Sequence, residues 1–201
     1  MNVSEAKTVG PLAGVRVIEL GSTVAGPFCA RLFADFGADV IKVEQAEGDA
    51  VRSMGDHLDG LSLYAASILR GKRLVSINLR SDEGRGLVRR LCEGADIVVE
   101  NFKPGTLERW GLGFEDLKTA NPGLIMVRIS GFGQDGPHSD RGGYGVVCEA
   151  VSGLREITGE PDRPPPRVTT PLTDYIAGLY AAFGAMMALH ERGETGLGQV
   201  V

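Results

Sequence analysis

Asp174 is the residue whose placement most invites chemistry. It lies in Thr170-Pro171-Leu172-Thr173-Asp174-Tyr175, where a proline-bounded stretch meets a long apolar run. A carboxylate at a helix start has two uses. It can cap the helix, accepting backbone N–H bonds at the positive end of the dipole. It can also attack an activated acyl group to form a covalent intermediate, with nearby helix N–H groups stabilising the oxyanion. Gly178 and its small neighbours would let a ligand or another backbone come close. Local residue types favour the cap and permit the nucleophile.

Three other segments carry groups that could bind a ligand. In Val99-Glu100-Asn101-Phe102-Lys103-Pro104-Gly105-Thr106-Leu107-Glu108-Arg109, an amide and an aromatic ring precede two cations. That set suits a nucleotide, with Phe102 stacking, Asn101 hydrogen bonding and Arg109 meeting a phosphate. It is also what a surface loop with solvated charges contains. Gly21-Ser22-Thr23-Val24-Ala25-Gly26-Pro27 has glycine spacing like a phosphate loop, but Pro27 replaces the lysine and G-x-G-x-x-G is absent. It reads equally as a tight strand-to-helix connection or as a ligand-lining loop. Gly71-Lys72-Arg73, followed by Arg80, reads as a solvated basic turn. Glu160–Arg167, with four prolines, reads as a stiff connector.

These residues need a scaffold, and the alternation of patterns supplies one. Strands are expected at 15–20, 39–44, 73–79, 95–100 and 124–129. Helices are expected at 27–36, 82–93, 114–120, 144–151 and 174–190. Apolar strands alternating with helices predict a Rossmann-like α/β fold, a mostly parallel sheet covered on both faces. Ligands in such folds gather at the carboxyl ends of the strands. Residues 1–10 are expected to form a flexible tail and 11–201 one α/β domain. Gly196–Val201 reads as a turn entering another strand.

Composition narrows the function classes. The net charge of −5 argues against a general nucleic-acid binder. Cys29, Cys92 and Cys148 are scattered and odd in number, and His57, His138 and His190 have no metal-ligand spacing. Neither a disulfide framework nor a metal site is expected, and a cytoplasmic location fits. The apolar run Ile176–Leu189, broken by Gly178 and Gly184, reads as too short to span a membrane.

Taken in order along the chain, the motifs resemble the family III CoA-transferases. The likeness runs from Pro11-Leu12-Ala13-Gly14-Val15 to Gly198-Gln199-Val200. It is most specific in Gly37-Ala38-Asp39-Val40-Ile41-Lys42-Val43-Glu44, in Val99–Gly105 and around Asp174. The resemblance implies a catalytic aspartate at Asp174. It implies coenzyme A or acyl-CoA as substrate, a carboxylic acid as the other substrate, and no permanently bound cofactor.

The resemblance also implies CoA contacts at Thr23, Val24, Ile77, Asn78, Arg80, Asn101, Phe102 and Arg109. Ser130 and Phe132 stand where formyl-CoA transferases have a lysine and a tyrosine. Tyr144 is the substrate-pocket candidate. It occupies the position of the histidine in the related α-methylacyl-CoA racemases, and so favours transfer over racemisation. Family members carry a second, smaller domain with a glycine-rich loop and form interlocked homodimers. The expectation is therefore that this chain is the N-terminal half of such a fold, active or serving as a non-catalytic CoA-binding fragment.

Overall fold

A computed structural model describes residues 9–201, so residues 1–8 of the expected tail lie outside the described residues. In chain order the elements are β1 (Arg16–Glu19), α1 (Ala25–Asp35), β2 (Asp39–Glu44), β3 (His57–Leu58), β4 (Leu61–Ser62) and α2 (Leu63–Leu69). Then follow β5 (Arg73–Ser76), α3 (Asp82–Glu93), β6 (Ile97–Glu100), α4 (Thr106–Arg109), α5 (Phe114–Lys118), β7 (Ile125–Arg128), α6 (Gly145–Val151), α7 (Leu154–Thr158) and α8 (Leu172–Thr195). Five strands make a parallel sheet in the order β5-β2-β1-β6-β7, and β3 and β4 form a separate small hairpin.

The strand sequences explain the layering. Successive side chains point to opposite faces, so runs apolar at every position are buried on both sides. Val17, Ile97 and Ile125 face α1 and α8, packing with Phe33, Ala182 and Ala185. Their neighbours Ile18, Val98 and Met126 face α3 and α5, packing with Val88, Cys92 and Leu117. The expected strands and helices are present with ends shifted by a few residues. The last residues behave as their sequence suggests: the Val201 amide donates to the Met126 carbonyl at 2.9 Å, parallel to β7.

The topology also locates a crevice. From β1 the chain builds outward through β2 and β5, then crosses over to β6 on the other side of β1. The loops after β1 and β6 therefore diverge at the switch point, where ligands bind in open α/β sheets.

The α8 helix departs most from expectation. It begins at Leu172 and runs 24 residues, with Gly178 and Gly184 inside it rather than breaking it. A Cβ on Gly178 would lie 2.9 Å from Phe28 and 3.0 Å from the Ala25 carbonyl. The glycine thus permits α1 and α8 to close on each other, with Ala182, Ala185 and Ala188 also buried. By length and composition alone α8 could cross a membrane, contrary to the reading of the apolar run as too short. Its small-residue face is instead packed on α1 and β7.

Candidate active site

A cleft of about 490 Å³ opens over the carboxyl ends of β1, β6 and β7. Its near wall is the loop after β1. Asn101, at the end of β6, ties that loop down: its Oδ1 accepts from the Ser22 amide at 2.8 Å, and its Nδ2 donates to the Ser22 carbonyl at 2.9 Å. A Cβ on Gly21 would stand 2.8 Å from Asn101 Oδ1, and one on Gly26 would stand 3.2 Å from Asn101 Cγ. The glycine spacing that resembles a phosphate loop thus makes room for an amide side chain. Thr23 adopts a left-handed backbone, φ 71°, unusual for a β-branched residue. Its amide donates to Asp49 Oδ1 at 3.0 Å.

Asp174 lines the far wall with Thr173, Ile176 and Ala177. It is not the helix cap. Pro171 occupies that position without a side-chain cap bond, and Asp174 is the third residue of α8. The backbone explains the shift: the Tyr175 amide already donates to the Pro171 carbonyl at 3.1 Å, so the helix is closed before Asp174. A first-turn carboxylate still benefits from the dipole.

Opposite it, the first turn of α6 presses against the carboxylate. A Cβ on Gly145 would overlap Asp174 Oδ2 and approach Thr173 Oγ1 within 2.6 Å. Burial pushes the Asp174 pKa above the usual carboxylate range, the bond from its own backbone amide pulls the other way, and the buried Glu149 adds to the rise. Thr173 Oγ1 and Glu149 Oε2 are buried without a hydrogen-bond partner in the described structure.

A second cleft, about 230 Å³, adjoins the first, and Ser22 and Phe102 line both. Ile77, Asn78 and Arg80 line the second, with Trp110, Gln45 and Asp49. Phe102 meets Trp110 edge to face at 5.4 Å. Thr23, Val24, Asn101, Ser130 and Tyr144 line the first cleft, and Tyr144 is 73% exposed where it caps α6. Arg109 and Phe132 line neither: Arg109 Nη2 donates to Thr106 Oγ1 at 3.0 Å, and Phe132 packs edge-on against His138 at 5.9 Å. Among the described residues no group of three His, Cys, Asp or Glu could hold a metal ion.

Arg141 and Cys148 carried no clear signal in the sequence, whereas Lys103 was one of the two cations of the Val99–Arg109 segment. Arg141, Lys103 and Cys148 line the first cleft, and neither cation has an acidic partner within ion-pair distance among the described residues. Lys72 corrects the reading of a solvated basic turn. Its side chain is fully buried, with Nζ 2.6 Å from Glu19 Oε2. Lys42, within an otherwise apolar strand, is buried as well. A lysine or glutamate amid Val and Ile is the only hint a sequence offers of such burial, because such charges are sealed in only when paired.

Residues 12–201 match the profile of CoA-transferase family III. The chain belongs to this family. It is 52% identical to the succinyl-CoA–D-citramalate CoA-transferase of Chloroflexus aurantiacus over 99% of its own length and 50% of that protein. It is 44% identical to the succinate–glutarate CoA-transferase of Agrobacterium fabrum, covering 94% of this chain and 49% of the relative. A solved CaiB/BaiF family protein from Brucella suis superposes with a TM-score of 0.90 at 43% identity, over 96% of this chain and 52% of that one. The chain of this CoA-transferase family member spans about half the length of the curated relatives it matches.

Proposed function

We propose that this polypeptide supplies the CoA-binding fold and the nucleophile of a CoA-transferase, with Asp174 as the attacking carboxylate. The observation that carries the reading is the position of Asp174: a partly buried carboxylate of raised pKa on the wall of the cleft that the β1 and β6 loops enclose. Burial leaves a carboxylate poorly solvated and a better nucleophile once ionised.

In this mechanism an Asp174 oxygen attacks the thioester carbonyl and the C–S bond breaks, giving a mixed anhydride and the CoA thiolate. The thiolate then attacks the Asp174 carbonyl carbon. The donor acid leaves as carboxylate, and aspartyl-CoA thioester remains. An acceptor carboxylate runs the two steps in reverse, and Asp174 is released as carboxylate. The adenosine end would occupy the second cleft, beside Phe102 and Arg80, and the pantetheine arm would pass Ser22 towards Asp174.

Succinyl-CoA is the donor named for the Chloroflexus relative, and this reading extends it to the present chain. Arg141 and Lys103, without an acidic partner among the described residues, suit the second carboxylate of a dicarboxylic substrate. Tyr144, where racemases carry a histidine, supports transfer over α-proton exchange. Assembly as a homodimer is part of the reading: Leu172, Ile176, Leu179, Tyr180, Phe183 and Met187 form an exposed apolar stripe along α8. The domain is read as one α/β unit over residues 11–201, in the cytoplasm, with α8 facing protein rather than lipid.

Treatment with succinyl-CoA followed by hydroxylamine tests the mechanism. A hydroxamate at Asp174, absent from Asp174→Asn, is expected by peptide mass mapping. No label on the wild-type chain, even with the C-terminal half of a relative supplied in trans, rules out the covalent step. Deuterium entering the substrate α-carbon without acid exchange would point to racemisation.

A further inference from the structure

Beneath the first cleft lies a cluster of charge that the transfer chemistry does not use. Glu19 on β1, Lys42 on β2, Lys72 before β5 and Asp49 after β2 are all buried. Lys42 Nζ has three donors and three oxygens close by, two of them hydrogen-bonded and the third, Asp49 Oδ2, an ion-pair partner. It donates to Glu19 Oε1 and to the Gly21 carbonyl, each at 2.8 Å, and lies 2.7 Å from Asp49 Oδ2. Lys72 Nζ donates to Glu19 Oε2 at 2.6 Å and to the Pro27 carbonyl at 2.7 Å. Glu19 therefore bridges two lysines, and each lysine grips one end of the loop from Gly21 to Pro27. Asp49 holds the middle, because its Oδ1 accepts from the Thr23 amide at 3.0 Å.

We infer that this buried tetrad is a positioning clamp for the CoA site, with Asp49 holding Thr23 in its left-handed conformation so that the loop presents its wall to the thioester. The inference rests on the CoA-binding reading above. A threonine reaches φ 71° only against steric resistance, so the conformation needs an external tie, and the Asp49 bond is the one that reaches its amide. Asp49 also lines the second cleft, whereas Thr23 lines the first. One carboxylate thus links the wall of the proposed adenosine cleft to the wall of the reaction cleft. Burial acts against the charge on Lys42, but Glu19 and Asp49 outweigh it and raise its pKa, whereas for Lys72 burial outweighs Glu19 and lowers it.

The test uses CoA itself and the fluorescence of Trp110, the single tryptophan of the chain, which lines the second cleft. Asp49→Ala removes the tie, and CoA affinity is expected to fall about tenfold as Thr23 relaxes. Thr23→Gly sets its own reference, because it deletes the side chain as well. Glycine takes a left-handed backbone without strain, so adding Asp49→Ala to Thr23→Gly should cost less than about threefold. A merely structural Asp49 would lower the melting temperature without this glycine-specific rescue of affinity.

Should Asp49→Ala fail to fold, Asp49→Leu, alone and with Thr23→Gly, removes the acceptor while filling the side-chain space and carries the same comparison. Equal losses of affinity with and without Thr23→Gly, or no loss at all, overturn the clamp. Wild-type binding without such coupling overturns this inference alone. Absence of CoA binding by the wild type overturns the CoA reading and the clamp together.

Discussion

Under the Gly21–Pro27 loop, the side chains of two lysines and two carboxylates are sealed from water. Of their carboxylate oxygens only Asp49 Oδ2 makes no hydrogen bond among the described residues, although Lys42 Nζ stands 2.7 Å from it as an ion pair. Some way along the same cleft, at the corner of α6 and α8, buried polar groups are left incomplete. Among the described residues Glu149 Oε2, Arg155 Nε and Thr173 Oγ1 have no hydrogen-bond partner, although Arg155 Nε and Glu149 Oε2 stand 3.5 Å apart as an ion pair. An unpaired buried polar group is costly, so a fold keeps it where something else is gained. The contrast separates scaffold from chemistry. In the readings proposed above, the clamp fixes a loop through ion pairs and hydrogen bonds, whereas the α6–α8 corner keeps the Asp174 carboxylate partly buried, with a raised pKa.

The sharpest way to break the comparison is Lys42→Met. It leaves Asp49 buried without a cation and Glu19 with Lys72 alone, and the expected loss of stability in urea denaturation is about 3–5 kcal/mol. A loss below about 1 kcal/mol would show that the tetrad is no energetic unit.

Gly145→Ala probes the other corner. Its Cβ overlaps Asp174 Oδ2, so the α6 turn or the carboxylate must move. The overpacking should cost about 1–3 kcal/mol, and hydroxamate trapping at Asp174 should collapse with it. Stability lost with trapping intact would mean that α6 does not hold the nucleophile.

Asn101→Ala removes both hydrogen bonds to Ser22 and is expected to cost about 1–2 kcal/mol in thermal unfolding. CoA affinity should weaken with it. An unchanged affinity would leave Asn101 a purely structural tie.

The smallest effects are in pH. In the proposed mechanism Asp174 must be ionised to attack, and its pKa is raised by burial first and Glu149 second. The acid limb of the trapping rate should therefore fall at higher pH than an ordinary aspartate would give. Glu149→Gln removes one cause of the rise and should move the limb to lower pH. A limb that stays in place would assign the shift to burial alone. The same sign applies to stability: a carboxyl whose folded pKa is raised destabilises the fold increasingly as pH climbs from its ordinary pKa to the raised one, and fully above that. Asp174→Asn should then melt higher than wild type at neutral pH, with the gain vanishing in acid as Asp174 protonates.

The parallel sheet was legible because Val17-Ile18 and Ile97-Val98-Val99 are apolar on both faces, which only a covered sheet can bury. The α3 boundaries were legible for a local reason too. Ser81 Oγ accepts from the Gly84 amide at 3.1 Å, and Gly94 ends the helix. Asp174 itself could be singled out from its neighbours, and with it the Asn101–Phe102 strand end.

What the residues alone could not disclose depends on contacts distant in sequence. Lys72 looked solvated because its partner Glu19 lies 53 positions away, and only the β1–β2–β5 register brings them together. The left-handed Thr23 requires Asp49, 26 residues later. Whether Asp174 is a cap or the third residue of a helix turned on the closure of the turn at Pro171. The length of α8 turned on whether its glycines had a partner to pack against, and α1 supplies one. Periodicity and residue type determine elements, because those are local properties of the chain. Burial of charge and strain in a loop belong to the assembled sheet, because their free energies depend on what tertiary packing places beside them.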